Sequence, residues 1–60
     1  MNTKYGIGDI LLVQIGEYTA YLLIEDVDQY SYYYTNMSVS DTHTETIWYI
    51  DNHKAISKVA

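Results

Sequence analysis

The 60-residue chain has no cysteine, no proline, no phenylalanine and no arginine. Without cysteine there is no disulfide and no zinc ribbon, and nothing marks an oxidising compartment. With no proline, only three glycines, and a composition 48% hydrophobic and 15% aromatic, low-complexity disorder is disfavoured against a packed fold. Three lysines stand against eight acids, a formal net charge of −5. That balance repels phosphate backbones and anionic lipid alike, so neither nucleic acid nor membrane is an expected partner. No segment approaches the ~20 apolar residues of a membrane span. The opening MNTKYGIGDI does not read as a signal peptide, because Asp9 precedes an apolar run that Gln14 and Gly16 interrupt. A cytoplasmic protein is expected, and the glycosylation-type triplet Asn36-Met37-Ser38 is read as chance.

The length allows one domain, 1–60. A chain of this size buries only about 60% of the surface its unfolded form exposes. With no covalent staple, stability has to come from aromatic burial, tight β pairing or a second copy.

Hydrophobic periodicity gives strands and no convincing helix. DILLVQI (9–15) sets Leu11, Val13 and Ile15 on one face. After a turn at GEY, TAYLLIEDV (19–27) groups Ala20, Leu22 and Ile24; Val27 falls out of phase, which predicts a bulge near Glu25 and Asp26. A third strand, 30–37, carries four tyrosines in five positions. Tyr30, Tyr32 and Tyr34 share one face and Tyr33 with Met37 the other, the latter taken as the inward set. SVSDTHTE (38–45) is polar and loop-like, ETIWYI (45–50) reads as a fourth strand, DNHK (51–54) as a turn with a single helical turn, and 55–59 as a last strand.

The stretches YGIGDILLV, YLLIEDVD, the aromatic third strand and the closing ETIWYIDNHKAISKV together resemble the small SH3-like β-barrels common among phage and bacterial proteins. The resemblance spans nearly the whole chain and implies an all-β, five-stranded barrel with strands 9–15, 19–27, 30–37, 45–50 and 55–59. If it extends to a phage origin, the location is the host cytoplasm. Such barrels serve as peptide binders, nucleic-acid binders and structural adaptors, so fold alone does not choose a function.

The residues narrow the choice. A proline-peptide groove needs a long acidic first loop, here only GEY, and an ALYDY-like segment that is absent. Base-stacking sheets carry Lys or Arg along the strand, and none lies within five residues of the tyrosine strand. Catalysis lacks a cysteine nucleophile, a serine with a base beside it and a phosphate loop, since GIGD leads into a strand. His43 with Asp41 and His53 with Asp51 have the residue types of metal ligands, but DTH and DNH are ordinary loop compositions. No enzyme activity, no metal and no cofactor are expected.

What remains is an interaction or structural module. Tyrosine offers a large rigid contact with a hydroxyl that stays satisfied when wet. Tyr30, Tyr32 and Tyr34, with Tyr21 and Trp48 nearby, form the expected interaction surface. A homo-oligomer is the expected assembly, with a host or phage protein as the other partner. The competing reading is an acidic inhibitor or DNA mimic that occupies a basic site on such a protein.

Overall fold

A computed structural model describes residues 3–60. The elements run β1 (Ile10–Ile15), β2 (Tyr18–Val27), β3 (Ser31–Asn36), β4 (Asp41–Thr46), α1 (Ile47–Asn52) and β5 (Ile56–Lys58). All strands belong to one antiparallel sheet in the order β4-β3-β2-β1-β5. The first four strands form a meander, and the chain then crosses by α1 to lay β5 against β1. β4 and β5 therefore stand at opposite ends of the hydrogen-bonded order. Among the described residues no helix is long and apolar enough to cross a membrane.

Alternation decides what is buried. Leu11 and Val13 of β1 pair with Leu22 and Ala20 of β2, and Ile56 of β5 lies opposite Val13, so one face of three strands is continuously apolar. Gly16, at φ +59, lets two residues reverse the chain between Ile15 and Tyr18. The expected bulge is present. Ile24 pairs with Tyr34 but Asp26 pairs with Tyr33, which leaves Glu25 as the extra residue and returns Val27 to the core side opposite Tyr32. Tyr5, Ile24, Tyr32 and Ile50 complete the core.

Three expectations are corrected. The segment expected as a fourth strand, 45–50, is mostly helix: Thr46 ends β4 and its hydroxyl accepts the Tyr49 N–H at 3.2 Å, capping α1. Helical spacing then turns Ile47 and Ile50 to the core and leaves Trp48 74% exposed. The true fourth strand is Asp41–Thr46, within the segment read as a loop. It is a sheet edge with no buried residue, so no hydrophobic alternation marks it. Lastly, Tyr32 rather than Tyr33 and Met37 points inward: Tyr32 is 0% exposed and Met37 is exposed.

A buried phenol needs partners, and Tyr32 has them. Its hydroxyl donates to Asp51 Oδ1 at 2.6 Å and accepts the Tyr5 N–H at 3.1 Å. Asp51 Oδ2 accepts the Lys4 N–H at 3.1 Å. In Tyr32→Phe the buried Tyr5 N–H loses its acceptor and Asp51 one donor, a loss of about 1–3 kcal/mol. Calorimetry should show a Tm lowered by roughly 4–8 °C per kcal/mol for a domain of this size. Trp48→Ala, outside the core, should stay within about 0.5 kcal/mol of the parent. Equal melting of Tyr32→Phe and the parent would remove the phenol from the account of stability.

Candidate functional site

The core-facing side of the sheet does not end where the apolar residues do. Along β1 and β2 the same face continues to Ile15 and Tyr18, and along β3 and β4 to Tyr34, Asn36, His43 and Glu45. α1 and the residue after it add Tyr49 and His53 from above. These groups surround an open cleft of about 310 Å³ floored by Val13, Ala20, Leu22, Ile50 and Ile56. Its walls are built locally. Tyr34 and His43, opposite each other in the β3–β4 register, have ring centroids 5.7 Å apart, and Tyr49 meets His53 edge to face at 5.1 Å. Asn36 Nδ2 donates to the Tyr18 hydroxyl at 3.5 Å and joins the ends of the two hairpins.

The cleft is acidic in character. None of the three lysines lines it, whereas Glu45 does. Burial, followed by Glu45 and the neighbouring phenols of Tyr18 and Tyr49, pushes the Tyr34 hydroxyl above the usual tyrosine range. Among the described residues no three side chains of His, Asp or Glu converge to hold a metal ion.

The residues expected as an interaction surface are dispersed. Tyr32 is core and Tyr34 a cleft wall. Tyr21 is exposed on the opposite face of β2, across from the half-buried Leu12 of β1. Tyr30, 71% exposed, sits in the turn before β3, where its carbonyl accepts the Ile47 N–H at 2.8 Å next to exposed Trp48. Tyr33 lies on the face away from the core and donates its hydroxyl to Asp28. Tyr18, Tyr49 and Glu45 were not singled out as lining one site, and His43 and His53 were weighed only as metal ligands. Tyr18 was legible, since it is in phase with Ala20, Leu22 and Ile24. Tyr49 and His53 are neighbours only at helical spacing, and His43 and Glu45 only on a strand that reads as loop. Comparison with protein-family models, curated proteins and solved structures finds no match.

The acidic turn before the tyrosine strand has a structural task. Asp28 Oδ1 accepts the N–H groups of Tyr30 and Ser31 at 2.8 and 2.7 Å, and Oδ2 accepts the Tyr33 hydroxyl. The Tyr33 hydroxyl first, then these backbone donors, hold the Asp28 carboxyl below its ordinary range. A carboxyl with a lowered native pKa stabilises the fold above its unfolded pKa of about 4, and that contribution disappears as pH falls through the lowered native value. Urea midpoints from pH 6 down to 2 should therefore fall in the parent and fall less steeply in Asp28→Asn. Parallel acid limbs in the two proteins would show that Asp28 has no part in acid sensitivity.

Proposed function

We propose that the protein is a non-enzymatic interaction module of the SH3-like barrel type that self-associates through the free edge of β4. The observation that carries this reading is the state of that edge. In antiparallel pairs, residues bonded across the ladder alternate with residues that are not. The Ile47 N–H to Tyr30 carbonyl bond continues the β3–β4 register, so Tyr32 with Glu45, Tyr34 with His43 and Asn36 with Asp41 are the bonded pairs. The N–H and C=O groups of Thr42, Thr44 and Thr46 then point away from β3, the Thr46 N–H being already donated to Glu45 Oε1.

Sheet edges are normally guarded by lysine, proline, bulges or a cover. β4 has no lysine and no proline, and its six pairs with β3 run without a register shift. Two copies paired antiparallel about a two-fold axis present the same face, which restricts the registers. Centred on Thr44, the pairing sets Thr42 opposite Thr46 of the second copy and His43 opposite its Glu45. Centred on His43, it would set Asp41 against Glu45, a like-charge contact that destabilises a sheet. The Thr44-centred register is the favoured one.

The second reading, an acidic inhibitor or DNA mimic on a host or phage protein, draws less support. Of its clustered acids, Glu25 accepts the Thr35 hydroxyl, Asp26 the Val27 N–H and Asp28 three donors, all within the fold.

Sedimentation across concentration and salt separates the readings. Edge pairing between two acidic chains should persist or strengthen as salt screens their repulsion, whereas docking on a basic site should weaken steeply. Thr44→Lys places two lysines opposite each other across the axis and should give monomers, while Thr44→Val should associate like the parent. A parent that stays monomeric at every concentration, or a Thr44→Lys variant that associates as the parent does, would overturn this assignment.

A further inference from the structure

We propose that the cleft binds the guanidinium group of an arginine side chain presented by another protein. This goes beyond self-association and does not depend on it. The first support is an acid without a counter-ion. Glu45 is half-buried at the cleft, and its Oε1 accepts the Thr46 N–H at 3.0 Å. Among the described residues its other carboxylate oxygen has no hydrogen-bond partner, and the one ion pair, Lys58 with Asp9 at 3.4 Å, lies elsewhere. A half-buried carboxylate of this kind is most stable when a cation completes it.

The second support is the wall material. Tyr18, Tyr34 and Tyr49 line the same cleft, and a phenol ring attracts a cation to its electron-rich face. A guanidinium suits both surfaces at once: its plane stacks on aromatic rings and its fork of N–H donors matches a carboxylate. A lysine ammonium is more strongly hydrated and does neither as well. At about 310 Å³ the cleft is at the small end of ligand pockets, the right scale for one side chain rather than a folded surface. Anionic ligands are disfavoured, since no lysine lines the cleft.

The occupant's origin follows from composition. These 60 residues contain no arginine, so a second copy of them cannot supply a guanidinium. The ligand therefore belongs to a different protein, on a segment exposed enough to insert one arginine between β4 and α1.

The test is a nuclear magnetic resonance titration with N-acetyl-arginine amide as probe, in parallel with the N-acetyl amides of lysine and norleucine. The arginine probe should shift the ring signals of Tyr18, Tyr34 and Tyr49 and the backbone signal of Glu45, and should bind more tightly than either control. Glu45→Gln should weaken it roughly tenfold, the scale of a charge-assisted hydrogen bond. The backbone spectrum of that variant, unchanged away from β4, verifies its fold. Tyr49→Leu keeps apolar bulk, removes the ring and should weaken binding several-fold. Norleucine binding as well as arginine would mean an apolar pocket, and lysine binding as well would mean no guanidinium preference. Shifts spread over the acidic surface and indifferent to Glu45→Gln would mean unspecific charge attraction. Any of these results, or no shift in the cleft, overturns the proposal.

Discussion

One buried hydroxyl joins segments that the sheet ladders leave apart. Tyr32 reaches from β3 to the Tyr5 N–H of the amino-terminal segment and to Asp51 of α1, and Asp51 in turn holds the Lys4 N–H. A phenylalanine would fill the same space, but the Tyr5 N–H and one Asp51 oxygen would then lack partners in a region where lost hydration is not regained. The core thus contains polar groups only as a closed set of bonds. That also explains how a chain with no phenylalanine builds an aromatic core: Tyr5 and Tyr32, with ring centroids 6.1 Å apart, supply the bulk, and each hydroxyl finds an acceptor inside the molecule. Burial and the Asp51 bond push the Tyr32 hydroxyl above the usual tyrosine range, so it remains a donor at neutral pH.

The orientation of the tyrosine strand follows from β2. Up to Ile24 the strand keeps a simple period of two, and with no bulge Val27 would face away from the core. The extra residue, Glu25, restores the phase, and Val27 then faces the core opposite Tyr32. The out-of-phase valine was visible in the amino-acid sequence as a bulge. Which face of β3 it selects was not, because Tyr32 and Tyr33 are chemically identical and alternation alone does not order them. The deciding information is a cross-strand register and a carboxylate nineteen positions away in sequence, neither of which is a local property.

Legibility elsewhere tracks burial in the same way. β1 and β2 carry Leu11, Val13, Ala20, Leu22 and Ile24 on one face and were readable to within a residue at each end. β4 was not, since an exposed edge strand has no apolar face to display. Its threonines were the remaining signal, as β-branched residues that favour extended backbone. The error over 45–50 came from residue type: Ile47, Trp48, Tyr49 and Ile50 are all β-prone, whereas the i, i+3 spacing of Ile47 and Ile50 and the capping threonine before them were the cues for helix.

The two proposed surfaces inherit this reading difficulty because both are built on β4. Its odd positions, His43 and Glu45, face the cleft, while Thr42 and Thr44 direct backbone groups outward and the Thr46 N–H is held by Glu45 Oε1. A pleated strand presents side chains above and below the sheet and hydrogen-bonding groups within its plane, so the two surfaces are perpendicular. Edge pairing as proposed would therefore add strands beside the cleft without filling it. In the Thr44-centred register it would also bring the second copy's His43 towards Glu45. β4, the strand with no buried residue, is thus the element that both proposed surfaces share.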